Sequence, residues 1–242
     1  MKTIRIFHPE PLACGKHIEL TPSASQHVGI VLRMQPEQDV ILFCGDDHEY
    51  RSTITSVHKK KVIVSVQESI AISRESPCRI HLAQALSKGE RMEFVIQKAV
   101  ELGGSSITPL VTERCVVRLD EERLAKKQAQ WQAIAISACE QSGRNTVPVV
   151  HPVLSLDNYV LQCSSSIKLV LNPEGSVSWR ECIFDAKDIA LLIGPEGGLT
   201  ASEIESAKAK NFTSLCLGPR ILRTETAAIS ALSVLQAIAG DL

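Results

Sequence analysis

The sequence predicts an α/β protein: a mainly parallel sheet with helices on both faces, preceded by a small antiparallel β-barrel. Three observations carry this. From Cys78 onward, short apolar runs alternate with longer stretches of helical period, the pattern of repeated βα units. Two of those runs, Ile167–Leu171 and Ile189–Ile193, are almost continuously apolar, as strands covered on both faces must be. The first 77 residues differ: five short segments rich in β-branched or aromatic residues lie close together between turn-forming or charged stretches. A length of 242 residues accommodates two such domains.

In the first domain, strands are expected at Arg5–Phe7, Lys16–Leu20, Val40–Cys44, Tyr50–His58 and Val62–Val66. Gly45-Asp46-Asp47 makes a turn and Lys59-Lys60-Lys61 a charged hairpin tip. A short helix starts near Ser23, with Val28, Val31 and Leu32 on one face. Ser73-Arg74-Glu75-Ser76-Pro77, polar and closed by proline, separates a domain spanning 1–72 from one spanning 73–242. Beyond it, Arg79–Ala83 reads as a strand. Glu90–Leu102 reads as a helix, because Met92, Val95, Ile96, Ala99 and Leu102 recur on one face and Gly103-Gly104 closes it. Ile107–Val111 is the next strand and Asp120–Ser142 a long helix ended by Gly143. Thr200-Ala201-Ser202-Glu203 matches a capping box, so a helix begins there. Leu215–Leu217 is a short strand and Thr224–Ala239 the last helix. Ala227, Ala228, Ile229, Ala231, Leu232, Val234, Leu235 and Ile238 leave that helix almost no polar face. Burial against a second copy of the chain is expected.

Composition narrows the function classes. Hydrophobic residues make up 44% and charged residues 22%, values that exclude disordered, collagenous and coiled-coil proteins. The first twelve residues, MKTIRIFHPEPL, lack the apolar run and small-residue site of a signal peptide, and no stretch is long and apolar enough for a membrane span. A soluble, cytoplasmic protein is expected. The 8 cysteines stand at 14, 44, 78, 115, 139, 163, 182 and 216. That spacing contains no CxxC pair, which argues against zinc and redox motifs and for buried thiols in a reducing compartment. The 7 histidines form no metal-binding pair, so no metal is expected.

Two glycine-bearing loops each leave an apolar strand and enter a helix: Gly194-Pro195-Glu196-Gly197-Gly198-Leu199, and the run from Gly218 through Arg223-Thr224-Glu225-Thr226. In open α/β sheets, ligands sit beyond the carboxyl ends of the strands. Glycine there allows a ligand to approach the backbone. The sequence has no P-loop, no GxGxxG after an early strand and no GxSxG elbow. The ligand must be held by another loop geometry.

Read in order, GPEGGL at 194–199 and LGPRILRTETA at 217–227 resemble the ribosomal RNA uridine-N3 methyltransferases of the SPOUT superfamily, which use S-adenosylmethionine. The likeness extends to KGERMEFVIQKAVELGGSSITP at 88–109, Thr112-Glu113-Arg114, Glu140-Gln141-Ser142-Gly143-Arg144 with Pro148, Arg5-Ile6-Phe7, and His27 with Val31-Leu32-Arg33. Cys115 departs from a serine common in the family. The resemblance implies a C-terminal α/β domain with a deep trefoil knot, an exception to unknotted topology. It also implies a PUA-like N-terminal β-barrel, dimerisation through the knotted domain, and action on a single uridine of 16S ribosomal RNA in the assembled small subunit. S-adenosylmethionine would be lined by Leu171, Asn172, Pro173, Gly194, Glu196, Gly197, Gly198, Leu217, Gly218, Ile221, Leu222 and Thr226. Gly197 and Gly218 are where a side chain would most obstruct it. Arg5, Arg33, Gln141 and Arg144 would meet the RNA.

Methyl transfer to uracil N3 defines the side chains needed. The nitrogen carries a proton whose pKa lies well above neutral, so a base must take it and the charge spread over O2 and O4 must be stabilised. Arg223 is the candidate stabiliser, since a guanidinium offers a planar donor fork and cannot act as base. Glu225 and Glu196 are the candidate bases, and either could instead cap a helix N-terminus. Residues 1–77 hold 9 basic and 9 acidic residues, and the whole chain carries a net charge of -1. RNA affinity must therefore come from local patches and a folded target rather than bulk charge. A non-catalytic RNA-binding or assembly protein of the same fold, or a phosphate-ester enzyme using GPEGG as an anion cradle, are the alternative classes.

Overall fold

The computed structural model describes residues 3–58, 61–116, 120–175, 177–181 and 187–242. Lys59 and Lys60 of the expected hairpin tip, and Cys182, lie outside them. The chain divides into two units: Met1–Glu75 with Cys139–Val147, and Ser76–Ala138 with Pro148–Leu242. The first boundary falls between 75 and 76 rather than 72 and 73. The segment 139–147, expected in the C-terminal domain, belongs instead to the N-terminal unit.

In the N-terminal unit, β1 (Ile4–Phe7), β2 (His17–Glu19), α1 (Pro22–Gln26), β3 (Asp39–Phe43), β4 (His48–His58) and β5 (Lys61–Ala71) follow in order. All five expected strands form, in the sheet order β1-β3-β4-β5-β2. β1 runs parallel to β3 while the other pairs are antiparallel, so the sheet is mixed. Strict alternation places Val62, Val64 and Val66 of β5 in a core with Ile6, Leu20, Val40, Leu42 and Ile54. Pro22 opens α1, and the Thr21 hydroxyl accepts from Ala24 N at 3.3 Å, an ordinary N-cap. The helix then widens into a π-helical turn, His27–Val31. That change of pitch defeats the expected face: Val28 is buried, but Val31 and Leu32 are exposed.

The C-terminal unit contains β6 (Arg79–Ala85), α2 (Arg91–Glu101), β7 (Ser106–Val111), α3 (Glu121–Ser142), β8 (Val149–Val150), β9 (Leu154–Ser155) and α4 (Leu156–Gln162). It continues with β10 (Ile167–Leu171), β11 (Val177–Ser178), β12 (Asp188–Ile193), α5 (Ala201–Lys208), β13 (Thr213–Cys216) and α6 (Thr224–Ala239). Helix α3 passes from this unit into the other at Cys139. Every pairing in the sheet is parallel, in the order β11-β13-β10-β12-β6-β7-β8, with β9 on β7. Ala190 and Leu192 of β12 pack with Leu156, Tyr159 and Val160 of α4 and Ala207 of α5. By alternation Ile189, Leu191 and Ile193 face the other way, and they too are buried. Helices α2 and α6 pack together, and α6 also meets β12.

The last helix is less lipophilic in context than its sequence implies. Ala228, Ala231, Leu232 and Leu235 are buried inside their own chain, while Ile238 is 44% exposed. Leu232 and Leu235 are therefore core residues, not interface residues. Gln236, fully buried, accepts from Ser76 Oγ at 2.6 Å and donates to Leu102 O at 2.9 Å. These bonds tie the end of α6 to the end of α2.

The N-terminal unit buries a polar cluster. Arg5 pairs with Glu49, donates to Asn145 Oδ1 at 2.5 Å and lies 5.0 Å from the Phe43 ring centroid. Glu49 also accepts from Arg74 at 2.5 Å. Burial alone would raise the Glu49 pKa, but hydrogen bonds from Arg74 and Arg5 outweigh it and hold the carboxyl below its ordinary value. A depressed folded-state pKa stabilises the fold above the unfolded pKa, and that contribution is lost as pH falls through the folded one. Glu49→Gln is expected to lose about 3 kcal/mol near neutral pH, because it strands a buried guanidinium. Its urea-unfolding free energy should also fall less steeply than wild type between about pH 5 and pH 3. Equal acid slopes in the two proteins would contradict this.

Candidate active site

The parallel strands β13, β10 and β12 lie side by side, and the loops that follow them gather at their carboxyl ends. A cavity of about 630 Å³ opens there, walled by residues at the ends of β10 (Leu171–Glu174), β12 (Ile193–Glu196, Gly198 and Leu199) and β13 (Leu217, Gly218 and Arg220–Leu222), with Ile204 and Lys208 of α5. Its lining is largely aliphatic and backbone, and Arg114, Glu174, Glu196, Glu205, Lys208 and Arg220 supply charge. Gly218 sits at φ +141°, and a Cβ built on it meets nothing within 4 Å. The backbone is thus bare toward open space where glycine is conformationally required.

Side chains brace these loops. Thr224 Oγ1 donates to Gly194 O at 2.8 Å and accepts from Gln84 Nε2 at 2.9 Å, joining the ends of β6 and β12 to the start of α6. Glu196 Oε1 accepts from Lys88 N at 3.0 Å and from Arg91 Nη1 at 2.8 Å. Burial would raise the Glu196 pKa, but the Lys88 amide and Arg91 together hold it below the ordinary value. Arg114 Nη1 donates to Gly197 O at 2.9 Å. The expected capping box forms, with Thr200 N donating to Glu203 Oε2 at 2.8 Å and Glu203 N to Thr200 Oγ1 at 3.2 Å. Glu203 Oε1 meanwhile accepts from Glu113 N at 2.8 Å. Cys115 takes its serine-like place in this frame, with Sγ 3.4 Å from Leu86 O and 3.2 Å from Thr112 Oγ1.

Of the residues expected around the ligand, Leu171, Asn172, Pro173, Gly194, Glu196, Gly198, Leu217, Gly218, Ile221 and Leu222 line the cavity. Gly197 and Thr226 do not. A Cβ on Gly197 would meet Arg114 Cβ at 3.3 Å, so that glycine serves the packing of Arg114, and Thr226 is exposed on α6. Glu196 is committed as an anchor for Lys88 and Arg91, which makes it a poor base. Arg223 is exposed at the N-cap of α6 and makes no capping bond with its side chain. Glu225 lies in the first turn, 4.0 Å from Arg91 Nε. In the N-terminal unit, Arg33 and Gln141 are exposed. Arg5 and Arg144 are buried, Arg144 donating through Nε to Glu75 Oε1 at 3.1 Å. Their guanidinium groups are taken up by partners within the N-terminal unit. Arg91 and Arg114 were missed as site residues, although both stand within the quoted motifs. Arginines this near an acidic residue in sequence carry no sign of which loop they will meet. Among the described residues, no group of three or more His, Cys, Asp or Glu side chains could hold a metal ion.

Comparison with known proteins defines the class. The family model described as RNA methyltransferase domain matches residues 74–236, and that described as RNA methyltransferase PUA domain matches residues 20–67. The chain belongs to this RNA methyltransferase family. Within it, ribosomal RNA small subunit methyltransferase E of Bacillus subtilis is 37% identical over 89% of this chain and 88% of its own length. The protein of that name from Buchnera aphidicola subsp. Schizaphis graminum is 36% identical over 98% and 97%. A methyltransferase of Legionella pneumophila, solved with bound S-adenosylmethionine, superposes with a TM-score of 0.98 at 51% identity, covering 100% of both chains. Ribosomal RNA small subunit methyltransferase E of Neisseria gonorrhoeae, also bound to S-adenosylmethionine, gives 0.93 at 36% identity over 99% of each chain.

The Thr224 hydroxyl is the testable brace. Thr224→Val removes a donor to Gly194 O and an acceptor for buried Gln84, and is expected to cost about 1–3 kcal/mol in chemical denaturation. Thr224→Ser should restore most of it. A valine variant as stable as wild type would show the hydroxyl to be dispensable.

Proposed function

We propose that this protein is an S-adenosylmethionine-dependent methyltransferase of small-subunit ribosomal RNA, acting on N3 of one uridine of 16S RNA in the assembled cytoplasmic particle. The observation that carries the reading is the cavity at the carboxyl edge of the sheet, walled by the glycine loops at 194–199 and 217–222. S-adenosylmethionine supplies an electrophilic methyl group on its sulfonium, so the donor needs no further activation. The residues present fit it: aliphatic side chains from three loops for the adenosyl group, the bare backbone of Gly218 for close approach, and charged residues around the lining for the amino-acid end. The chain's own task is positioning and managing the N3 proton. Glu225 is the base in this scheme, because Glu196 is engaged elsewhere.

The same reading extends to architecture. The first unit is taken as a PUA-like barrel, its curvature supported by the ladder irregularities at Arg51/Ser52 and Ile54/Ser56 between β4 and β5. A trefoil knot in the second unit is supported by the non-sequential neighbours β13-β10-β12. A homodimer is supported by the exposed Ile238 near the end of α6 and Leu242 beyond it, at 44% and 65%. Arg33 and Gln141 remain the exposed candidates for RNA.

Calorimetry with S-adenosylmethionine tests the cofactor. Gly218→Val is expected to weaken binding at least about a hundredfold, because its side chain would occupy the space a ligand needs. Undiminished affinity would place the ligand elsewhere. Ile238→Glu is expected to give monomers in light scattering without lowering stability by more than about 0.5 kcal/mol. A dimer that persists would assign the interface to another surface.

A further inference from the structure

Arg91 connects the two glycine loops. At the start of α2, its Nη1 donates to Glu196 Oε1 at 2.8 Å in the first loop, and its Nε lies 4.0 Å from Glu225 Oε1 beyond the second. The two carboxylates are used differently. Glu196 also takes the Lys88 amide. Glu225 Oε2 is buried and accepts no hydrogen bond from any described residue. A buried acceptor without a donor is destabilising, so a donor arriving with a ligand is favoured. Two residues earlier, Arg223 is exposed and its side chain is not used as a cap.

We propose that Arg91, Glu225 and Arg223 read the imide edge of uracil as donor, acceptor and donor, with Arg91 acting as the positioning residue for Glu225. This rests on the uridine assignment above and names the residues that select the base. Uracil presents O4, N3–H and O2 along that edge: acceptor, donor, acceptor. Cytosine presents an amino donor and a bare N3 lone pair, which would face a carboxylate oxygen. Two acceptors facing each other discriminate strongly in a desolvated site, because both are left unpaired. Glu225 Oε2 takes the N3 proton while N3 gains the methyl group from the sulfonium, whose C–S electron pair stays on sulfur. The two guanidinium groups balance the negative charge that develops on O2 and O4.

The test uses the full-length protein and small ribosomal subunits lacking the modification. Arg91→Ala and Glu225→Gln are each expected to lower kcat at least about tenfold while the affinity for S-adenosylmethionine, read by calorimetry, stays within about twofold. Arg91→Ala should slow Glu225→Gln by less than it slows the wild type, because part of its effect passes through Glu225. Arg91→Lys should recover part of the loss and guards against a folding defect in the alanine variant. With S-adenosylhomocysteine present, wild-type binding should weaken about tenfold when the target uridine is replaced by cytidine, and Glu225→Gln should lose that preference. If 3-methyluridine forms but the two losses multiply, or the cytidine preference survives in Glu225→Gln, the recognition proposal falls and the methyltransferase assignment stands. If wild type binds S-adenosylmethionine yet makes no 3-methyluridine, the uridine assignment falls and takes this proposal with it.

Discussion

The hydroxyl of Thr224 is the point from which the geometry of the site follows. A parallel sheet satisfies its strands laterally but leaves the loops beyond their carboxyl ends without ladder partners. Each such loop must be fixed by something else if its backbone is to present a defined surface. Thr224, the first residue of α6, joins two of these ends to its helix, bonding Gly194 O after β12 and Gln84 at the end of β6. Glu196, Arg114 and Glu203 extend the same scheme outward, each linking a loop to an element distant in sequence. The cavity is bounded by the backbone and aliphatic side chains of loops that these few bonds hold in place.

Most of this arrangement was legible from local pattern. The capping box at Thr200, the limits of α6 and the strand at β12 depend on residues within a few positions of one another, and sequence shows those directly. β8, β9 and β11 are two residues each, too short to carry a period. The helix α4 was missed because Leu156–Gln162 spans only two turns. At His27–Val31, the assumption of 3.6 residues per turn assigned Val31 and Leu32 to the core, and a π-helical turn rotates them away.

The site residues divide on the same principle. Glycines beside strand ends fall at the cavity because their placement is local, and Gly218 stands bare toward open space. Gly197 depends on Arg114, a contact from another strand's loop. Arg5 reads as a surface arginine until Glu49, 44 positions on, and Asn145, 140 positions on, are brought to it. Burial of a charge is decided by partners that only the fold supplies.

The discontinuity of the N-terminal unit has a consequence for how the protein is made. Ribosomes extend the chain from its amino end, so all five strands of the first sheet are synthesised well before Cys139–Val147. Until that segment emerges, Arg5 lacks Asn145, Glu75 lacks Arg144, and the Ile72 carbonyl lacks the Asn145 amide. The domain begun first is therefore finished late, after α3 has been translated. A nascent chain halted between the two would hold a sheet whose charged interior is still open to water.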